Sequence, residues 1–257
     1  MIDQNILQNN GYYFPISILD QHEINKIKKK ILKLHKKSEL VKYQPHLFYS
    51  WMYNLCYNTR LISLFKQIVG DNPIVWNTAI FIKTPNQDID MAPHQDTAYD
   101  GVISDLKYTV YLAITENNQS SGSLYFYKKS HTLGKLNHVH CDINNMHGSK
   151  LKVNFELSNF EKKFVTLSSG QASVHHMNTV HGSYKNFKND YRISIGFRLT
   201  NNLARFTGKS IHGIVYNKGT ENLKNYEFIE NKIERLKLAN EDLEIFYKNF
   251  VNLKNIT

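Results

Sequence analysis

The sequence predicts a mainly β fold, an antiparallel sandwich or barrel flanked by helices, and three observations carry that prediction. From Ile74 to Leu199 the chain is a succession of β-branched and aromatic runs broken by turn residues. No periodic helical stretch lies between those runs, as a parallel α/β sheet would require. Helical spacing is confined to the two ends. At 257 residues, 41% hydrophobic and 12% aromatic, the chain can bury one sizeable core. We expect one domain over 1–257, with a helical part to about 72, a barrel over about 73–200 and a helical tail over about 201–257.

Taken in order, Asp20 and Glu23 have the spacing of a capping box, and Ile24, Ile27, Ile31 and Leu34 follow at helical intervals, which predicts a helix over about 20–38. A second helix is expected over Thr59–Val69, closed by Gly70. The expected strands are 74–83, 106–115, 123–127, 164–167, 171–177 and 191–199. Turn clusters at 117–122 and 168–170 separate neighbours. From about Glu221 to Leu253 the spacing is again helical.

The formal charge is +10, but the lysines are scattered. The densest run, 26–37, alternates with Ile27, Ile31 and Leu34, which makes it the solvated face of a helix rather than a nucleic-acid site. No signal or transit peptide and no apolar window of about 18 residues is seen, so a cytoplasmic protein without membrane or nucleic-acid partners is expected. Cys56 and Cys141 have neither zinc-site nor disulfide-framework spacing.

The segment Pro93-His94-Gln95-Asp96 carries the most chemistry. At strand period two, His94 and Asp96 project to one side, where an imidazole and a carboxylate can share an ion. A third ligand is sought in the run from His175 through His181. Two histidines and one carboxylate with open positions suit iron(II). His175, His176 and His181 compete by type, although adjacent strand residues face opposite ways, so at least one of the first two points elsewhere.

His181-Gly182-Ser183, Asn186 and Arg192, together with His94-Gln95-Asp96, resemble the phytanoyl-CoA dioxygenase family, which pairs H-x-D with a distal H-G-S, a following Asn and an Arg at this interval. Gly11-Tyr12, Trp76-Asn77, the run from Phe81 to Pro85, and Ser121-Gly122-Ser123-Leu124 through Ser130-His131 extend the likeness over about 10–200. Lys128-Lys129 stands where the family has Pro-Gly, which leaves the local turn shape open. Related halogenases replace the aspartate by Ala or Gly; Asp96 is present, which disfavours halogenation.

The resemblance implies a double-stranded β-helix (jelly-roll, cupin-like) barrel and an iron(II)- and 2-oxoglutarate-dependent dioxygenase that uses O2. His94, Asp96 and His181 would hold iron(II), Arg192 the distal carboxylate of 2-oxoglutarate, and Ser183 would add a hydrogen bond. Gln95, Thr109 and Asn77 are candidate ligand-orienting or cosubstrate contacts. The expected outcome is hydroxylation, with release of succinate and CO2, of a small metabolite that the positive balance marks as anionic; desaturation, ring closure and epimerisation share the chemistry. Two other classes compete: a non-catalytic barrel that binds a ligand or protein, and a zinc-dependent hydrolase, which leaves Arg192 unexplained.

His131, His138, His140 and His147 read as loop or surface histidines, and 133–158 is long enough to serve as a lid. The aromatic group Phe48, Tyr49, Trp51 and Tyr53 reads as core.

Overall fold

The computed structural model describes residues 2–35, 42, 44–47, 49–99, 101–141, 151–206, 211–215 and 226–228. Among the described residues four α-helices precede or flank the sheets: α1 (Gln4–Asn10), α2 (Gln21–His35), α3 (Ser50–Cys56) and α4 (Thr59–Val69). The capping box at α2 forms in both directions, with Glu23 N–H donating to Asp20 Oδ1 at 2.9 Å and Asp20 N–H to Glu23 Oε2 at 2.9 Å. Its apolar stripe, Ile24, Ile27 and Ile31, is buried. α4 begins at Asn58, whose side chain accepts from Arg60 and Leu61 N–H, and stops before Gly70.

The strands make two main sheets. The larger runs β1 (Tyr12–Ser17), β10 (Gln171–His176), β5 (Tyr108–Ala113), β12 (Arg192–Asn201), β2 (Pro73–Lys83), β14 (Ile211–Val215) and β15 (Tyr226–Phe228). The smaller runs β3 (Met91–His94), β11 (His181–Ser183), β6 (Leu124–Tyr127) and β9 (Lys162–Phe164). Short pairs join β4 (Val102–Ile103) to β13 (Arg205–Phe206), and β7 (His138–His140) to β8 (Leu151–Val153). The architecture is the expected jelly roll, although its two sheets remain open and do not close into a barrel.

Alternation along the large sheet separates two environments. Ile80 and Ile82 of β2, Val110 and Leu112 of β5, and Ile193, Ile195, Phe197 and Leu199 of β12 pack against Leu61, Leu64 and Phe65 of α4. Phe65 and Phe197 meet at 5.9 Å between ring centroids. Each fully buried aliphatic or aromatic side chain here contributes about 1.5–3 kcal/mol. The opposite face of the same strands carries Lys83, Tyr111, Thr109, Arg192 and Arg198, polar groups that a core would not tolerate without partners.

Several elements depart from expectation. Tyr12–Ser17 is a strand inside the part expected to be helical. It occupies the sheet edge, where Pro15, lacking an N–H, falls within a register irregularity between Tyr13 and Ile16. The 164–167 run begins earlier as Lys162–Phe164, and β3 and β11 were not foreseen because each spans only three or four residues. Arg205–Phe206, Ile211–Val215 and Tyr226–Phe228 are strands within the tail expected to be helical over about 201–257, because β14 finds a partner edge in β2; the rest of 221–253 lies outside the described residues. Of the aromatic group expected in the core, Tyr49 is buried there and Trp51 and Tyr53 pack partly buried against it; Phe48 lies outside the described residues. Among the described residues no helix is long and apolar enough to cross a membrane.

Candidate metal centre

β11 is placed between β3 and β6, so that His181 stands in register with His94 on one side and Phe126 on the other. Gly182 is required there: a Cβ would lie 2.6 Å from the Met91 carbonyl oxygen and as close to the Tyr125 hydroxyl. His94 closes β3 and Asp96 opens the 3-10 turn Asp96–Tyr99. The two ligands therefore converge through a change of backbone geometry and not through strand alternation, as the spacing had implied.

The ligand atoms of His94, Asp96 and His181 all lie within 4.8 Å of one another, and all three residues are buried. His94 Nδ1 donates to the Ala92 carbonyl at 2.9 Å and His181 Nδ1 to the Thr179 carbonyl at 2.9 Å. Each ring is thereby fixed in the tautomer that leaves Nε2 as a lone pair for a cation. Burial first, then mutual repulsion among the histidines, depresses His94 to about 3 and His181 to about 4, so both are neutral ligands at pH 7. For Asp96 burial opposes ionisation, yet Arg198 and the His175 hydrogen bond outweigh it and hold the carboxyl well below its usual range. Two neutral imidazoles and one carboxylate fit a divalent cation.

Asp96 is oriented from the large sheet. Thr109 donates its hydroxyl to Oδ2 at 2.6 Å, His175 Nε2 lies 3.3 Å from the same oxygen, and Arg198 Nη2 donates to Oδ1 at 3.1 Å. Asn77 joins through Arg198 Nη1, 3.4 Å from its Oδ1. The three competing histidines separate accordingly: His181 is in the triad, His175 faces Asp96, and His176 turns away, its Nε2 donating to the Asp105 carbonyl at 3.2 Å.

Gln95 takes a different part. Its amide donates to the carbonyls of Gly134 at 2.8 Å and Asn178 at 2.7 Å, and its Oε1 accepts from Leu136 N–H at 2.7 Å. Backbone groups thus occupy the side chain that had been a candidate cosubstrate contact. His138, expected as a loop or surface residue, accepts the Gln95 N–H at Nε2 (3.1 Å) and donates from Nδ1 to Leu136 O (3.0 Å). His131 caps the Gln8 carbonyl at 2.9 Å, and His147 lies outside the described residues. The two halves of the expected lid that are described, on either side of 142–150, pair as β7 and β8.

A second polar group lies at the far end of the inner face. Arg192 is 1% exposed and bonds through Nη1 to the Tyr111 hydroxyl. Directly across from it on β2 is Lys83, in register with Arg192, with no exposed surface. Lys83 Nζ donates to Ser183 Oγ at 2.8 Å and to the Tyr184 carbonyl. Burial first and then the Arg192 charge lower Lys83 to about 6, against a small opposite pull from Asp90. Burial likewise lowers Arg192, with Tyr111 opposing. A buried guanidinium beside a buried amine that an anion would re-protonate, with a serine hydroxyl between the strands, is a group able to receive a carboxylate. Sequence reasoning named Arg192 and Ser183 but missed Lys83; its signal was a lysine ending the apolar run Ile80-Phe81-Ile82, on the same strand face as Asn77.

At the turn 128–131, Lys129, which stands where the family has glycine, itself adopts φ 66°, and Ser130 Oγ donates to the Tyr127 carbonyl at 2.6 Å. Among the described residues no second cluster of metal-ligating side chains is present.

A jelly roll whose inner face gathers two histidines and an aspartate is the arrangement of the non-haem iron oxygenases. The Phytanoyl-CoA dioxygenase family model matches residues 7–194, and the chain belongs to that family. A curated relative, a probable alpha-ketoglutarate-dependent hypophosphite dioxygenase of Stutzerimonas stutzeri, is 24% identical over 147 residues, which are 55% of this chain and 50% of that protein. The chain thus spans about half the length of that relative. Among solved structures, the non-heme monooxygenase ThoJ superposes with a TM-score of 0.76 at 17% identity, covering 93% of this chain and 98% of that one. The epimerase SnoN, described in complex with Fe3+, alpha ketoglutarate and nogalamycin RO, gives 0.68 at 18% identity, covering 79% of this chain and 84% of SnoN.

Proposed function

We propose that the chain is an iron(II)- and 2-oxoglutarate-dependent dioxygenase that hydroxylates a small molecule. The single observation that carries this reading is the pairing of the His94–Asp96–His181 triad with a separate, buried Arg192–Lys83–Ser183 receptor on the same inner face. A hydrolytic metal site has no use for the second element. The named activities of the hypophosphite dioxygenase and of SnoN support the assignment by likeness.

Iron(II) held here would supply oxygen chemistry, coupled to conversion of 2-oxoglutarate and O2 to succinate and CO2 as one oxygen atom enters a substrate C–H or comparable bond. The chain's own part is positional. His94 and His181 present Nε2 because the Ala92 and Thr179 carbonyls hold the other nitrogen. Thr109 keeps Asp96 from rotating. Arg192 and Lys83 would bind the distal carboxylate, with Ser183 oriented by Lys83 Nζ; an arriving carboxylate also restores the proton that burial draws from Lys83. The enclosure of all these groups excludes water, which strengthens each electrostatic contact.

The test is anaerobic titration of the iron(II)-loaded protein with 2-oxoglutarate, reading the weak visible charge-transfer band of the chelate. The band is expected in wild type and absent in His181→Ala. Asp96→Ala should abolish product formation, and Arg192→Ala should raise the 2-oxoglutarate requirement by about 10- to 100-fold, the range for losing a charge-assisted contact. An iron-loaded wild type without the band would sink the reading.

A further inference from the structure

Six residues beyond Arg192 on the same strand stands a second inward-facing arginine, Arg198. At about 3.3 Å per residue the two lie about 20 Å apart along β12. Arg192 belongs to the cosubstrate receptor, whereas Arg198 reaches the metal centre from the other side, donating to Asp96 Oδ1 at 3.1 Å and to Asn77 Oδ1 at 3.4 Å. Its guanidinium lies 5.9 Å over the ring of Trp76. Those two bonds use two of its five N–H groups. Its side chain is 22% exposed, so the remaining donors are not enclosed by protein as those of a structural counter-ion would be.

Three of the buried polar atoms left without a partner belong to residues within two positions in sequence of Asn77, Asp96 and Arg198. Trp76 Nε1, Thr97 Oγ1 and Thr200 Oγ1 have no hydrogen-bond partner, and each residue is more than nine-tenths buried. Thr97 follows Asp96 and donates its N–H to Met177 O at 3.4 Å; Met177 packs with Trp76 in one apolar group. Thr200 lies two residues past Arg198, hence on the same strand face. Buried donors left unmet are exceptional in folded proteins and call for an explanation; an acceptor-rich ligand is one that also answers the charge. A divalent cation is balanced by Asp96 and by the metal-binding carboxylate of the cosubstrate, while the distal carboxylate faces Arg192 and Lys83. Arg198 is then one positive charge in excess beside the reaction centre.

We propose that Arg198, with Asn77 and Trp76, is the subsite that orients the primary substrate, and that the substrate carries a compact oxyanion: a carboxylate, phosphonate or phosphinate. This rests on the dioxygenase reading above. Asn77 presents its amide N–H groups once its oxygen is engaged by Arg198, and the Trp76 ring closes the floor beneath the guanidinium. The acidic group would be held on the side of the triad opposite the cosubstrate receptor, which sets the rest of the substrate against the metal.

The experiment uses the full chain, iron(II)-loaded, anaerobic and saturated with 2-oxoglutarate, so that the chelate band is the readout and turnover is not needed. Hypophosphite, methylphosphonate and acetate are titrated at constant ionic strength, with chloride as the control. At least one oxyanion is expected to shift the band saturably in wild type. In Arg198→Gln, which still offers Asp96 an N–H, iron(II) and 2-oxoglutarate are first titrated to saturation of that variant's own band, and the half-saturating oxyanion concentration read on it should rise by about 10-fold or more, the effect of losing a charged hydrogen bond. Arg198→Lys should recover part of the loss. Asn77→Asp, which sets a carboxylate against the guanidinium without removing it, should weaken the oxyanion in the same way. The proposal is overturned if no oxyanion shifts the wild-type band, if Arg198→Gln responds like wild type, or if that variant loses the band, which would make Arg198 a support of Asp96 alone. Absence of the band in wild type before any oxyanion is added is a different result and overturns the dioxygenase reading, and this proposal with it.

Discussion

Replacing Lys83 by Met removes a cation that the fold holds at a disadvantage. Lys83 is lowered from 10.5 to about 6, by burial first and by Arg192 second. Between those values the unfolded chain carries a proton that the folded chain does not, so the contribution of Lys83 to stability improves as pH rises through that window. Below pH 6 both states are protonated and the penalty is fully present, on the order of 6 kcal/mol at about 1.4 kcal/mol per pKa unit. Methionine fills a similar volume without charge, but leaves Ser183 Oγ and the Tyr184 carbonyl without the bonds that Lys83 supplies, which returns about 1–3 kcal/mol. In the absence of 2-oxoglutarate, Lys83→Met should therefore be more stable than wild type by about 3 kcal/mol at pH 5.5, and less stable by about 1 kcal/mol at pH 10. Urea unfolding at the two pH values measures the crossing, and calorimetry with 2-oxoglutarate should show affinity reduced by about 10- to 100-fold. A variant equally destabilised at both pH values, or one that binds 2-oxoglutarate like wild type, refutes the reasoning.

Three other perturbations probe the supports of the site. Gln95→Leu leaves two carbonyls and one N–H without partners in a buried place and should lower stability by about 2–4 kcal/mol, read as a shift of the urea midpoint. Thr109→Val removes the 2.6 Å bond to Asp96 at nearly constant volume; iron(II) affinity, measured by competition with a chelator, should fall by about 10- to 100-fold while circular dichroism is unchanged. Lys129→Gly relieves a side chain held at φ 66° and should raise the melting midpoint, by an amount equivalent to about 0.5–1 kcal/mol after the entropy of the added glycine is allowed for.

What could be read before the structure was known followed from how local each signal is. The helices announced themselves: the Asp20–Glu23 cap and the Thr59–Val69 stripe with its terminal glycine need no information from elsewhere in the chain. The long strands β2, β5 and β12 carry enough alternation to be seen. β3 and β11 do not, because three or four residues cannot show a period, and β1 was hidden by Pro15, which only an edge strand accommodates. At the site, His94 and Asp96 were legible from their spacing, whereas His181 was singled out from His175 and His176, and Arg192 picked out at all, only through the resemblance to the family pattern. Lys83 was not, since a lysine at a strand end ordinarily reaches solvent, and only the register with Arg192 turns it inward. The tasks of Gln95 and His138 were equally invisible: both depend on the Gly134–Leu136 turn folding back over the motif.

The attachment of Asp96 has a mechanical corollary. Both histidine ligands hang from the smaller sheet, while the carboxylate is gripped by Thr109 and Arg198 of the larger one. A cation shared by the three side chains is thus a rivet between the two leaves of an open sandwich. Prying the leaves apart means extracting the ion, so loading should toughen the whole chain: free metal at a hundredfold excess over its dissociation constant adds about 2.7 kcal/mol against unfolding.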